Sequence, residues 1–99
     1  MEVIERVEIL ANDQLIVVLA SGGDPSYQYI YREAAEINWD NNLKAFKSPP
    51  PREWSHSDWF HHIVKVAKNC SINLSLNNET TWVNIPNNIK EQILVCKNT

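Results

Sequence analysis

Gln14-Leu15-Ile16-Val17-Val18-Leu19-Ala20 decides how this chain folds. Apolar residues fill both alternating sets, Leu15, Val17 and Leu19 against Ile16, Val18 and Ala20, and the stretch is rich in β-branched side chains. Such a stretch is a central strand, flanked on both edges or covered on both faces. Its apolar run, Leu15 to Ala20, is the longest in the sequence and far short of the roughly 20 residues that cross a bilayer.

Working outward, Val3 to Leu10 alternates, with Val3, Val7 and Ile9 on one side and Arg6 and Glu8 on the other, as a half-buried strand does. Ala11-Asn12-Asp13 joins the two strands, because Asn and Asp tolerate left-handed backbone and bond their own main chain. On the other side, Ser21-Gly22-Gly23-Asp24-Pro25-Ser26 ends the central strand and uses both glycines of the protein. Tyr27, Tyr29 and Tyr31 then alternate with Gln28, Ile30 and Arg32, which predicts a strand with three tyrosines on one face. Glu33-Ala34-Ala35-Glu36 is too short for a stable helix, so the strand is expected to bend or bulge near Ala34 and resume through Ile37 and Trp39. Asp40-Asn41-Asn42 is a hairpin turn into a return strand bearing Leu43, Ala45 and Phe46. Ser48-Pro49-Pro50-Pro51 stops that strand, since consecutive prolines lack amide donors.

Ser55 caps the clearest helix, with Asp58 three residues on in the capping-box position. Trp59, Phe60, Ile63, Val64, Val66, Ala67 and Cys70 form its broad apolar face. Ser71 to Leu76 alternates again, Asn77-Asn78-Glu79 turns the chain, and Thr80 to Ile85 is a further strand. Pro86 precedes a short terminal helix on which Ile89, Ile93 and Cys96 recur. The pattern predicts one α+β domain over residues 1–99, a mostly antiparallel sheet of about six strands (ββββ-α-ββ-α) with two helices packed on one face.

The 99 residues are 43% hydrophobic and 21% charged, the composition of a globular chain and not of a disordered one. Net charge is −3, unevenly spread: −6 from Met1 to Asp40 and +3 from Asn41 to Thr99. An acidic front half repels phosphate, so no nucleic-acid partner is expected. The first residues carry no cationic head or apolar signal core, so no secretory leader and no membrane anchor are expected and the chain is placed in the cytoplasm. Cys70 and Cys96, without a second pair to make a metal knuckle, read as buried small hydrophobes there. In the same setting the Asn-x-Ser/Thr triplets at Asn69, Asn73 and Asn78 read as chance.

No catalytic constellation emerges, and no cofactor is implied. His61 and His62 are adjacent, hence about 100° apart around a helix, and do not converge on one ion with Asp58. Ser55 is better used as a cap than as a nucleophile beside His56, and Cys70 sits at a helix C-terminus, where the dipole raises a thiol pKa. Gly22-Gly23 lacks the spacing of a phosphate cradle. The stronger signal is aromatic: four tryptophans and three tyrosines. Two short helices cover about one sheet face, which leaves Tyr27, Tyr29, Tyr31 and Trp39 on the other as a contact surface, with Arg32 beside them. Trp54 and His56 flank the proline loop as further binding candidates.

The segments Tyr29-Ile30-Tyr31-Arg32-Glu33-Ala34, Trp39-Asp40, Ser48-Pro49-Pro50-Pro51-Arg52-Glu53-Trp54-Ser55-His56 and Trp59-Phe60-His61-His62-Ile63-Val64 resemble small bacterial proteins, some encoded on mobile integron gene cassettes. The resemblance implies a compact α+β domain, often self-associating, with no assigned activity and no functional residue to carry over. The expected function is therefore a non-catalytic accessory protein that forms a homo-oligomer or docks a protein partner through the tyrosine face. Two alternatives are an antitoxin- or immunity-like protein steered to a basic partner by Glu2, Glu5, Glu8 and Asp24, and a small-molecule binder with a pocket between the Pro49–Trp54 loop and the helix of His56, His61 and His62.

Overall fold

The computed structural model describes residues 2–34, 36–50 and 54–96, with side chains through Leu94. Pro51, Arg52, Glu53 and the Cys96 side chain, all named above, lie outside the described residues. In chain order the elements are β1 (Glu2–Ile9), β2 (Leu15–Leu19), a 3₁₀ helix (Pro25–Arg32), β3 (Asn38–Asp40), β4 (Ala45–Lys47), α1 (His56–Asn69), β5 (Leu74–Ser75), β6 (Thr81–Val83) and α2 (Asn87–Cys96). The expected α+β order of strands and α-helices stands.

The six strands form one mostly antiparallel sheet in the order β3-β4-β2-β1-β5, with β6 also paired to β1. β2 is the central strand that its composition demands, and all five of its residues are buried. β5 and β6 both run parallel to β1, β5 beside Glu2 and Val3 and β6 beside Arg6 to Glu8. They are two short lengths of a single edge, separated by the Asn77–Thr80 excursion. Between them the Thr80 hydroxyl donates to the Ile4 carbonyl at 2.8 Å, replacing the missing ladder bond.

Register explains the core. Trp82, Val7, Val17, Phe46 and Trp39 stand in one row across five strands, on the face covered by the helices. Against them pack Phe60, Ile63, Val66 and Ala67 of α1 and Ile93 of α2. In β1 the register slips between Ile4 and Arg6, a β-bulge at Glu5. Ile4 and Val7, three positions apart, therefore both reach this core, and strict alternation, which predicted Val3 with Val7, fails at the bulge.

The far face is not aromatic. Its rows are Thr81-Arg6-Val18-Ala45-Asp40 and Val83-Glu8-Ile16-Lys47-Asn38. Ile16, Val18 and Ala45 form a small buried cluster there. The same face carries two ion pairs, Arg6 to Glu8 at 3.1 Å and Lys47 to Asp40 at 3.5 Å. Long charged side chains flanking these apolar residues shield them through their methylene stems.

The predicted tyrosine strand is instead the 3₁₀ helix. Asp24 caps it, its Oδ1 accepting from the Ser26 amide at 2.8 Å, and Pro25 supplies the fixed φ of the first turn. In a 3₁₀ helix residues i and i+3 share a face, so Tyr27 and Ile30 turn inward while Tyr29 and Arg32 turn outward together. α1 begins as expected: Ser55 and Asp58 form a complete capping box.

Candidate functional site

The 3₁₀ helix divides the three tyrosines. Tyr27 is half-buried, its ring 5.3 Å from Trp39 and 5.7 Å from Phe46 between centroids. Trp39 itself is 9% exposed, so it belongs to the core and not to a surface. The Tyr27 hydroxyl donates to Glu2 Oε2, and the Ser21 hydroxyl donates to Glu2 Oε1. Burial first, then this hydrogen bond and the charges of Glu2 and Asp24, push the Tyr27 pKa up to about 12. The folded chain thus holds this proton more tightly than the unfolded chain. Its contribution to stability is complete below the ordinary tyrosine value near 10 and is lost as pH rises through about 12. Urea midpoints across that range should fall more steeply for the parent than for Tyr27→Phe; parallel curves would contradict this.

Tyr29 and Tyr31 are 46% and 49% exposed, with ring centroids 6.5 Å apart. The Arg32 guanidinium lies over the Tyr29 ring, 4.6 Å from its centroid. These three residues form a genuine surface patch, carried on a helical turn and not on a sheet face.

Trp54 and His56 lie in other surroundings. Trp54, 43% exposed, packs on Trp59 at 4.8 Å and on His62 at 5.0 Å. His62 Nε2 stands 3.8 Å from Glu36, the acid just beyond the 3₁₀ helix. His56 Nε2 donates to the Asp13 carbonyl at 3.0 Å, tying the β1–β2 turn to the start of α1. His61 Nε2 approaches the Ile93 carbonyl at 3.4 Å, and Ser57 donates to Gln92 at 2.8 Å, both joining α1 to α2. The three histidines are thus spent on three different packing contacts. Among the described residues no group of three or more His, Cys, Asp or Glu is placed to hold a metal ion. No helix among them is long and apolar enough to cross a membrane.

Two of the acids expected to steer a basic partner have internal work. Glu2 receives Tyr27 and Ser21, and Asp24 caps the 3₁₀ helix, where the Ser26 amide holds its carboxyl below the usual range. Glu8 stands beside Arg6, and Glu5 is exposed at the bulge.

One feature had no warning in the pattern. A cleft of about 120 Å³ opens between the 3₁₀ helix and the C-terminal end of α1, lined by Ser26, Tyr27, Tyr29, Ile30, Cys70 and Ile72. Cys70 is the residue that closes α1, its amide bonding back to Val66 and Ala67. Burial, and then the charge of Glu33, push its thiol pKa up, which keeps the sulfur protonated and weakly nucleophilic.

Fold and surface together define a two-layer α+β domain with an aromatic patch and an adjoining small cleft on one helical turn. The chain belongs to the integron cassette protein family Hfx_Cass5, whose model matches residues 7–80. A solved structure of integron cassette protein Hfx_Cass5, from the mobile metagenome of the North West Arm sewage outfall, is 31% identical, covering 100% of this chain and 97% of that one with a TM-score of 0.44. No curated protein matches the chain.

Proposed function

We propose that this chain is a non-catalytic accessory protein of the bacterial cytoplasm that self-associates, or docks a protein partner, through Tyr29, Tyr31 and Arg32. The observation that carries the reading is the exposure of two neighbouring tyrosine rings, with a guanidinium stacked on one of them. Tyr and Arg are the residue types that dominate binding hot spots, and Arg32 already lies stacked on Tyr29 before contact, which lowers the entropy lost on association. The sheet contributes no part of this surface, since its far face is closed by charged side chains.

Light scattering after size exclusion tests the self-associating form. The parent chain should run at twice the mass of one copy, and Tyr29→Ser/Tyr31→Ser should run as one copy with unchanged circular dichroism. Loss of two such anchors weakens association by about tenfold or more. A parent chain that stays a strict monomer at high concentration removes self-association and leaves partner docking, which the same double variant should abolish in a pull-down.

A further inference from the structure

We propose that the cleft between the 3₁₀ helix and the end of α1 binds a small substituted ammonium ion. The size fits a guest of a few heavy atoms: about 120 Å³ compares with the roughly 150 Å³ of a cavity that takes up benzene. The walls are aromatic at Tyr27 and Tyr29, aliphatic at Ile30 and Ile72, and soft at the Cys70 sulfur, with one hydroxyl from Ser26. Such a lining receives methyl or methylene groups, and tyrosine rings attract a positive centre. None of these side chains carries an N–H donor of the kind an anion requires.

The charge around the cleft has one dominant sign. Asp24 caps the start of the 3₁₀ helix and Glu33 closes its end, so a carboxylate stands at each end of the element that forms one wall. Glu2 is bonded to the hydroxyl of Tyr27. On the opposite wall, Cys70 marks the C-terminus of α1, where a helix presents roughly half a negative charge. Two bases are near in sequence: Arg32, which lies over the Tyr29 ring, and Lys68, exposed on α1. Arg32 shows that a tyrosine of this lining attracts a cation, although it occupies that face of Tyr29 itself. The apolar remainder of the lining selects a substituted ammonium over a small hydrated ion, whose water shell it has no polar groups to replace.

Tetramethylammonium is a suitable probe, with tert-butanol as a neutral molecule of similar shape and sodium chloride at matched ionic strength as the blank. Followed by NMR, tetramethylammonium should give saturable shifts at Tyr27, Tyr29, Cys70 and Ile72, with a dissociation constant about threefold or more below that of tert-butanol. Cys70→Met, which fills the cleft, should abolish these shifts. Glu33→Gln, an exposed change that leaves the cleft intact, should weaken binding about twofold to threefold and covers the case in which Cys70→Met does not fold. Absence of saturation at these residues, or equal affinity for tert-butanol, overturns the proposal. The cleft shares Tyr29 with the proposed docking patch but not Tyr31, so Tyr31→Ser should leave the titration unchanged while it weakens docking.

Discussion

Gly23→Ala should lower stability by about 2–4 kcal/mol. Two costs combine. Gly23 has φ +72°, where an L side chain costs about 1–2 kcal/mol. A Cβ there would also overlap the rim of the Trp39 indole, and Trp39 has no room to retreat because it packs edge-on against Tyr27 and Phe46. Gly22 is an internal control: its φ is +82°, yet a Cβ would meet nothing within 4 Å, so Gly22→Ala should carry only the backbone cost. Thermal melts should place Gly23→Ala about 10 °C or more below the parent, with Gly22→Ala between them. A double-mutant cycle with Trp39→Leu sharpens the test, because removing the indole rim should recover part of the loss. Equal effects at the two glycines would show that the close approach of Trp39 is not what Gly23 provides.

Thr80→Val should cost about 1–3 kcal/mol although it preserves shape and raises hydrophobicity. Thr80 is 6% exposed, and its hydroxyl both donates to the Ile4 carbonyl and accepts from the Asn77 amide at 3.1 Å. Valine leaves the Ile4 carbonyl without this donor at the point where β1 changes partner from β5 to β6. Thr80→Ser keeps the hydroxyl and should retain most of the stability. Urea unfolding measures the difference. Hydrogen exchange should show that the amides of β5 and β6 lose protection before those of β2. A Thr80→Val protein as stable as the parent would mean that water satisfies Ile4 equally well.

These two sites mark where the linear pattern stops being informative. Leu15–Leu19 announced a central strand because an apolar residue at every position has no other stable location, and Ser55 with Asp58 announced the start of α1 because both partners of the capping box are local. The tyrosine segment misled through its period. Tyr-Gln-Tyr-Ile-Tyr alternates like a strand, but Asp24-Pro25 is a helix-start signal, an N-cap acceptor followed by a preset φ, and it outweighed the alternation. Read at a spacing of three, the same letters place Tyr27 with Ile30 and Tyr29 with Arg32, which is the observed arrangement. The surplus of exposed aromatic surface survives for Tyr29 and Tyr31, while Tyr27 and Trp39 proved to be core. The cleft beside Cys70 was not legible at all, because it joins residues from two segments some forty positions apart. The bulge at Glu5 was equally hidden, since only the pairing with β2 reveals it.

The arrangement around β1 also sets an order of events during synthesis. β1, β2, β3 and β4 lie in the first half of the sequence and stand side by side in the order β3-β4-β2-β1, so this four-stranded antiparallel part can assemble while the remainder is still being translated. The outer side of β1 must then wait for residues 74–83 to leave the ribosome, because both strands that cover it come from beyond α1. Until that moment a nascent chain displays an open strand rim, the kind of surface that recruits another polypeptide. Any delay in releasing residues 74–83 would lengthen that interval.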